Sequence, residues 1–435
     1  MLLIYLPSIT QRSKYIFELI FKNELGLAFE VTTDIEIFNR HSQEKINYSF
    51  FRHGDELFIK ASPLLFENFI KKIDPGVDEK YETKVLFPND TSCDMGFDIF
   101  SAVFFMVSRY EEYLPFTPDA HGIFNATETL AYKNNFLLIP VVDKWIHLFK
   151  NILQKKFSGI KLLPGRFKAI VTYDIDVAYK FKGRNFKRIA GGTIKDLVNF
   201  NFRNIYNRVR TLTNQQEDPW YVYDYLQETI VRNNLNSIFF FLLGDRSKYD
   251  RNLNYKNPLV KNLIDTVSAF SDIGIHPSYI TTSHSEKILI EKGRLEILSG
   301  KQIDKSRQHY LKFILPETYN SLIDAGITED YSMGFSDFPG FRAGTCKPFY
   351  FYDLKNENRT ILKIFPITLM EGSFMNSNAS THLNALQEIY NLVEAVKNVN
   401  GTFMSIWHNH TVSETNEFAD WKKVHDQMIR FITQI

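Results

Sequence analysis

The chain has 435 residues, a formal net charge of +1 and two cysteines. That length exceeds one ordinary core and points to two domains, or to a barrel with an appended module. An even charge balance with scattered Lys and Arg argues against nucleic acid or an anionic membrane as partner, and Cys93 and Cys346, outside any C-x-x-C spacing, argue against a disulfide framework or a thiolate metal site.

The opening "MLLIYLPSITQRSKYIFELIF" lacks a basic leader region and is broken by Pro7, Gln11, Arg12 and Lys14, so it reads as a strand followed by a helix. No later run reaches the roughly 20 apolar residues of a membrane helix. A cytoplasmic protein with no membrane insertion is the expectation, and two unpaired cysteines fit a reducing compartment. Up to residue 165, short strands such as "LLIYL", "LAFEVTT" and "ELFIKAS" mix with helices. In "GFDIFSAVFFMVSRYEEYLPF" helical spacing puts Ile99, Phe100, Val103, Phe104 and Val107 on one buried face, with Arg109, Glu111 and Glu112 at its polar end. That end is either a binding element or a salt-bridged helix terminus. The helix "PVVDKWIHLFKNILQKKF" runs into "LLPGRF", where Pro164 and Gly165 break the pattern. The boundary is placed there, giving a mixed α/β domain over 1–165 and a second domain over 166–435.

In the second part the apolar runs "KAIVTYDID", "SIFFFLLGD", "DIGIHPSY", "RQHYLKF", "GFRAGT", "FPITLME" and "GTFMSIWHNH" alternate with helical stretches such as "PWYVYDYLQETIVRNN" and "NPLVKNLIDTVSAF". Alternation of this kind predicts parallel strands with crossover helices, here a deformed seven-stranded (β/α) barrel of the TIM type. Each run ends in groups that can do chemistry: Asp174 and Asp176, Asp245, His276, Arg307 with His309, Arg342, Glu371, and His408 with Asn409 and His410. In a parallel barrel these ends converge on one face. Asp174 and Asp176 point the same way from an extended strand, and two such carboxylates need a cation or a shared proton beside them. The alternative is that they cap the next helix or pair with Lys180, Lys182 or Arg184.

The segments "TYDID", "HPSY", "GFRAGTCKPF" and "SIWHNH", in this order, resemble the polysaccharide deacetylases, carbohydrate esterases with a deformed (β/α) barrel. The resemblance covers about residues 165–430, and the N-terminal part is similar to a module that precedes such barrels in some bacterial proteins. It implies metal-dependent removal of an N-acetyl group from a saccharide. Asp174 would be the general base, Asp176 and His276 ligands to a divalent metal such as zinc, Arg342 the residue that orients the base, and His408 the general acid. The family's second metal histidine is missing, because Ile280 occupies its position. His309 is the substitute, ahead of His284 in a polar loop, and contact with substrate is its other reading. Tyr279, Arg307, Trp407 and Asn409 are the remaining expected saccharide contacts, with packing as the alternative for Trp407. A glycan-binding barrel without activity, or a metal-dependent hydrolase of another amide, are the rival functions.

Overall fold

The structure is a computed structural model and describes residues 1–90, 92–375, 382–415 and 417–435. In its N-terminal part, β1 (Leu2–Tyr5), β2 (Phe29–Thr32), β3 (Lys45–Ser49) and β4 (Leu57–Lys60) form a parallel sheet in the order β2-β1-β3-β4. A small antiparallel pair, β5 (Val77–Lys80) and β6 (Thr83–Leu86), follows. The helix Ile99–Val107, apolar at every position but Ser101, is buried at all nine positions, and the buried Asp98 caps it by accepting from Ser101 N at 3.0 Å.

The second part is built on β7 (Lys168–Ile175), β8 (Asn236–Phe241), β9 (Asp272–Ile275), β10 (Lys305–Ser306), β11 (Glu329–Asp330), β12 (Phe349–Asp353), β13 (Asn358–Ile364), β14 (Leu369–Met370) and β15 (Thr402–His408). Among the described residues these form one nine-stranded sheet, in the order β12-β13-β11-β10-β9-β8-β7-β15-β14, parallel throughout except for the β12–β13 hairpin. The α/β class and the parallel crossover pattern are as expected, but the ladder is not a closed seven-stranded barrel. Residues 365–368 span the gap instead. Phe365 N and Ile367 N donate to Asp330 O and Met333 O on one side, and Thr368 N donates to Met404 O on the other.

Two expected strands are not strands. "RQHYLKF" begins just after β10 ends and forms a 3₁₀ turn at His309–Leu311, with Tyr310 at φ +62°. "GFRAGT" is a loop whose Gly340 and Gly344 both have positive φ, and a Cβ at Gly340 would lie 2.5 Å from Leu137 O. A helical hairpin, Phe186–Val198 and Phe202–Leu212, stands between β7 and β8.

The loop around Arg342 is held by the N-terminal part. Phe341 N donates to Leu137 O at 2.8 Å, Val142 N to Gly344 O at 2.9 Å, and the buried Asp143 accepts from Thr345 Oγ1 and Cys346 N at 3.0 and 2.9 Å. Arg342 itself forms a two-pronged pair with Glu112 at 2.9 and 2.7 Å, and Arg109 Nε donates to the same carboxylate at 2.7 Å. Arg109 sits in the left-handed region, φ +53°, and this turn aims Glu112 at Arg342. "SRYEEY" is thus the ion-paired helix terminus of the two readings. One hydrophobic core runs through both parts, with Tyr15 and Phe104 against Tyr352 at 4.9 and 5.2 Å between ring centres.

Burial works against the charge of Glu112, but Arg342 and Arg109 override it and keep its carboxyl below the ordinary value. Glu112→Ala strands two buried guanidinium groups, with an expected loss of about 3 to 5 kcal/mol in urea unfolding. A carboxyl lowered in the folded state stabilises above its unfolded pKa, and that stabilisation disappears as pH falls through the folded value. The difference in stability between wild type and Glu112→Gln should therefore shrink in acid.

Candidate active site

Strand register determines which side chains meet. In the parallel pair β7–β15, Asp174 lies opposite His408, and β7–β8–β9 alignment puts Ile275 level with Phe241 and Ile175. The residues that follow these ends, Asp176, His276 and Arg307, therefore gather beyond the carboxyl edge of the sheet, where open α/β sheets build their sites.

Asp176 is the centre of the cluster. Its Oδ1 lies 3.3 Å from His276 Nε2, and its Oδ2 lies 3.4 Å from His309 Nε2 and 3.5 Å from His408 Nε2. Burial opposes its charge, and the imidazoles of His309, His276 and His408 more than offset this, holding its carboxyl well below the usual range. Each histidine has its other nitrogen engaged. His276 Nδ1 is 2.5 Å from Arg307 O, His309 Nδ1 is 2.9 Å from Asp250 Oδ1, and His408 Nδ1 is 2.7 Å from Glu371 Oε1. Such outer partners fix the ring orientation and leave each Nε2 facing inward.

The donor set fits a divalent cation. Ligand atoms of Asp176, His276 and His309 all lie within 4.8 Å of one another, and Asp176 Oδ1 is buried without a hydrogen-bond partner. One carboxylate and two imidazoles with an open fourth position is a ligand combination of hydrolytic zinc sites. Ile280, which stands where the sequence lacks a histidine, is partly exposed in the turn Tyr279–Thr282.

Asp174 is 3 % exposed, 3.7 Å from His276 Nε2 through Oδ2, and its Oδ1 accepts from Arg307 Nη1 at 2.8 Å. Arg307 Nη1 also donates to Thr172 Oγ1 at 2.7 Å, its Nε donates to Tyr331 O at 2.9 Å, and Phe240 packs 4.4 Å from its guanidinium carbon. The arginine beside the expected base is therefore Arg307 and not Arg342, which is engaged by Glu112. Fully buried, Arg307 is not a saccharide contact either.

Trp407 and Asn409 also move out of the expected contact set. Trp407 is buried against His425, 4.9 Å between ring centres, on the face of β15 opposite His408. Asn409 donates to Val177 O and Trp220 O at 3.2 and 3.1 Å and ties the loop after β7 in place. Tyr279 does lie at the mouth. It stacks on Tyr249 at 4.0 Å, and its hydroxyl is 3.0 Å from Nδ1 of His121, a residue of the N-terminal part. Asp245 is an exposed partner of Arg294 at 2.9 Å, and His410 packs on Trp220 at 5.2 Å. Sequence reasoning missed Asp250, which sits in the charged loop "RSKYDRN" with no periodic signal, and it listed Glu371 without its link to His408.

The charge of His408 is set by Glu371. Burial works against its charge, yet the Glu371 carboxylate, itself accepting from His408 N at 2.9 Å and Thr411 Oγ1 at 2.8 Å, raises the imidazole to about 10. His309 is raised to about 9 against burial by Asp176 and Asp250.

A model of a family of unknown function, DUF7033, matches residues 2–158. No protein with a curated description matches the chain. Among solved structures the chain is similar to a protein described as a polysaccharide deacetylase from Mycobacterium smegmatis, at 13% identity and a TM-score of 0.40 over 62% of this chain and 86% of that one. It is also similar to a polysaccharide deacetylase from Bacillus cereus, at 11% identity and a TM-score of 0.33 over 62% and 88% of the two chains. A mutant of a CE4 family pseudoenzyme with restored enzymatic activity matches at 13% identity and 0.31, over 62% and 65%.

Elemental analysis after loading with Zn²⁺ and dialysis should find one ion per chain. Asp176→Ala, His276→Ala and His309→Ala should each abolish it, whereas Arg342→Met should leave it in place. Asp250→Asn, which weakens the outer support of His309, should reduce metal affinity about 10- to 100-fold.

Proposed function

We propose that the chain is a metal-dependent hydrolase that removes an N-acetyl group from a saccharide. The observation that carries this reading is the position of two differently supported groups around one candidate metal centre. Asp174 is held by a guanidinium, and His408 is held as a cation by Glu371. A base and an acid with opposite electrostatic support are what amide hydrolysis needs. A purely binding cleft needs neither.

A divalent cation on Asp176, His276 and His309 would supply Lewis acidity toward the acetyl carbonyl and the attacking water. The work of the chain's own groups is as follows. Asp174, aimed by Arg307, takes a proton from water as the water oxygen bonds to the carbonyl carbon. The carbon–nitrogen bond then breaks, and the Nε2 proton of His408 goes to the departing nitrogen, so that acetate and a free amine leave. Glu371 keeps the other nitrogen of His408 engaged, which leaves Nε2 free to face the site. Tyr310, 39% exposed and 4.6 Å from the His309 ring centre, offers a flat face for a pyranose, while Tyr279, covered by Tyr249 and Lys312, braces it edge-on at 5.5 Å. The N-terminal part contributes His121 to this rim, and we read it as a fixed wall of the cleft.

The test is acetate release from N-acetylglucosamine oligomers by the zinc-loaded protein. Asp174→Asn should lower kcat by about 10²- to 10⁴-fold and keep the bound metal. Glu371→Gln should lower kcat with little change in KM. A wild type that binds one zinc ion and the oligomers yet releases no acetate would replace this reading with a glycan-binding protein. Release of carboxylate from non-sugar amides alone would replace it with another amidase.

A further inference from the structure

The helical hairpin after β7 has inverted polarity. In Phe186–Val198 and Phe202–Leu212 the buried side chains are polar, namely Asp196, Arg208 and Thr211. Arg208 Nη2 and Asn204 Nδ2 both donate to Asp196 Oδ2, at 2.5 and 2.8 Å, and Arg208 Nη1 donates to Thr193 Oγ1 at 2.7 Å. Gly192 allows this inner contact, because a Cβ there would sit 3.0 Å from the Arg208 guanidinium. Helix periodicity then directs the apolar stripe outward. Ile194 is 62% exposed, Leu197 50%, Val198 71%, Phe200 79%, Phe202 61% and Val209 55%. Scattered exposed apolar residues are ordinary, but a stripe shared by two adjoining helices and the turn between them marks an interaction surface.

Charge identifies the occupant. From Arg184 to Leu212 there are seven Lys and Arg and one carboxylate, Asp196, a net charge of +6 in a chain whose total is +1. The single carboxylate is taken by Arg208 and Arg184 is turned inward onto Tyr179 O, which leaves Lys187, Arg188, Lys195, Arg203 and Arg210 on the two helices that carry the apolar stripe. The whole-chain balance that argued against an anionic membrane conceals this local excess. Two copies of such a face would repel each other. Aliphatic side chains at Ile194, Leu197, Val198 and Val209 have no use against stacked bases. An apolar face ringed by cations is the signature of a helix that lies in the headgroup region of an anionic bilayer.

We propose that the hairpin 186–212 docks the chain peripherally on an anionic lipid bilayer. Phe200 and Phe202 at the turn enter the interface, and the surrounding Lys and Arg meet the headgroups. The hairpin begins ten residues after Asp176, so docking would bring the end of β7, where Asp174 and Asp176 lie, close to the membrane surface. The inference goes beyond the proposed hydrolysis and does not depend on it.

The experiment is co-sedimentation of the full chain with vesicles of phosphatidylcholine alone or with a third phosphatidylglycerol, at low salt. Wild type should partition onto the mixed vesicles and not onto the neutral ones. Lys187→Gln with Arg188→Gln should weaken partitioning about 25-fold, at roughly fivefold per cation. Phe200→Ser with Phe202→Ser should weaken it about tenfold. All four positions lie outside the core, and circular dichroism melts identical to wild type would establish that both variants fold. Four results would overturn the proposal. One is absence of wild-type partitioning onto the mixed vesicles. Another is partitioning that the Phe pair does not affect. The third is a dimer in solution that the Phe pair dissociates, which would assign the face to a second copy; tighter binding to a short single-stranded DNA than to vesicles would likewise reassign it.

Discussion

Arg307 is the residue on which the arrangement of the site depends. Its backbone N donates to Ile275 O at the end of β9, and its carbonyl accepts from His276. The side chain crosses under the cluster to Tyr331 O after β11 and to Thr172 and Asp174 on β7. One buried guanidinium thus fixes Asp174 while the same residue's carbonyl sets the tautomer of a candidate ligand. A fully buried cation is costly unless its donors are matched. Here Nε and Nη1 are matched by a carbonyl, a hydroxyl and a carboxylate and the guanidinium rests on Phe240, while Nη2 is buried without a partner, and the outcome is a rigid geometry for two functional groups at once.

Electrostatic support around the cluster comes in graded pairs. Asp176 is surrounded by three imidazoles, and each imidazole leans on a different outer acceptor. Because the acceptors are a backbone carbonyl, Asp250 and Glu371, the three rings are not equivalent. The carboxylate partners keep His309 and His408 strongly basic. This asymmetry assigns different tasks to chemically identical side chains.

Much of this was readable from the sequence, and what was not has a physical reason. β7 and β15 are long apolar runs that end in acidic or imidazole groups, so their strands and tips were legible from period and polarity. Arg307 and Arg342 both follow strand-like stretches, and no local pattern distinguishes them. Only the partner delivered by tertiary structure does so, Asp174 for one and Glu112 for the other. Asp250 lies in a loop without periodicity. The hairpin β12–β13 did carry a signal, in the alternation of "FYFYD" and "RTILKI" about a polar turn, which a search for crossover helices passes over. Phe186–Leu212 has clear helical period, but periodicity reports that a face is apolar and not which way it points.

The joint between Glu112 and Arg342 has a consequence for how such a chain can change over generations. Its two halves meet through buried charges whose members lie 230 positions apart. A recombination event that exchanged one half for a distant relative's would place an unmatched guanidinium or carboxylate in the interior. The halves are therefore expected to travel through gene histories as a unit, with substitutions at 109, 112 and 342 correlated. The arginine in "GFRAGT" then records the ancestry of a seam, although by position alone it looks like part of the catalytic apparatus.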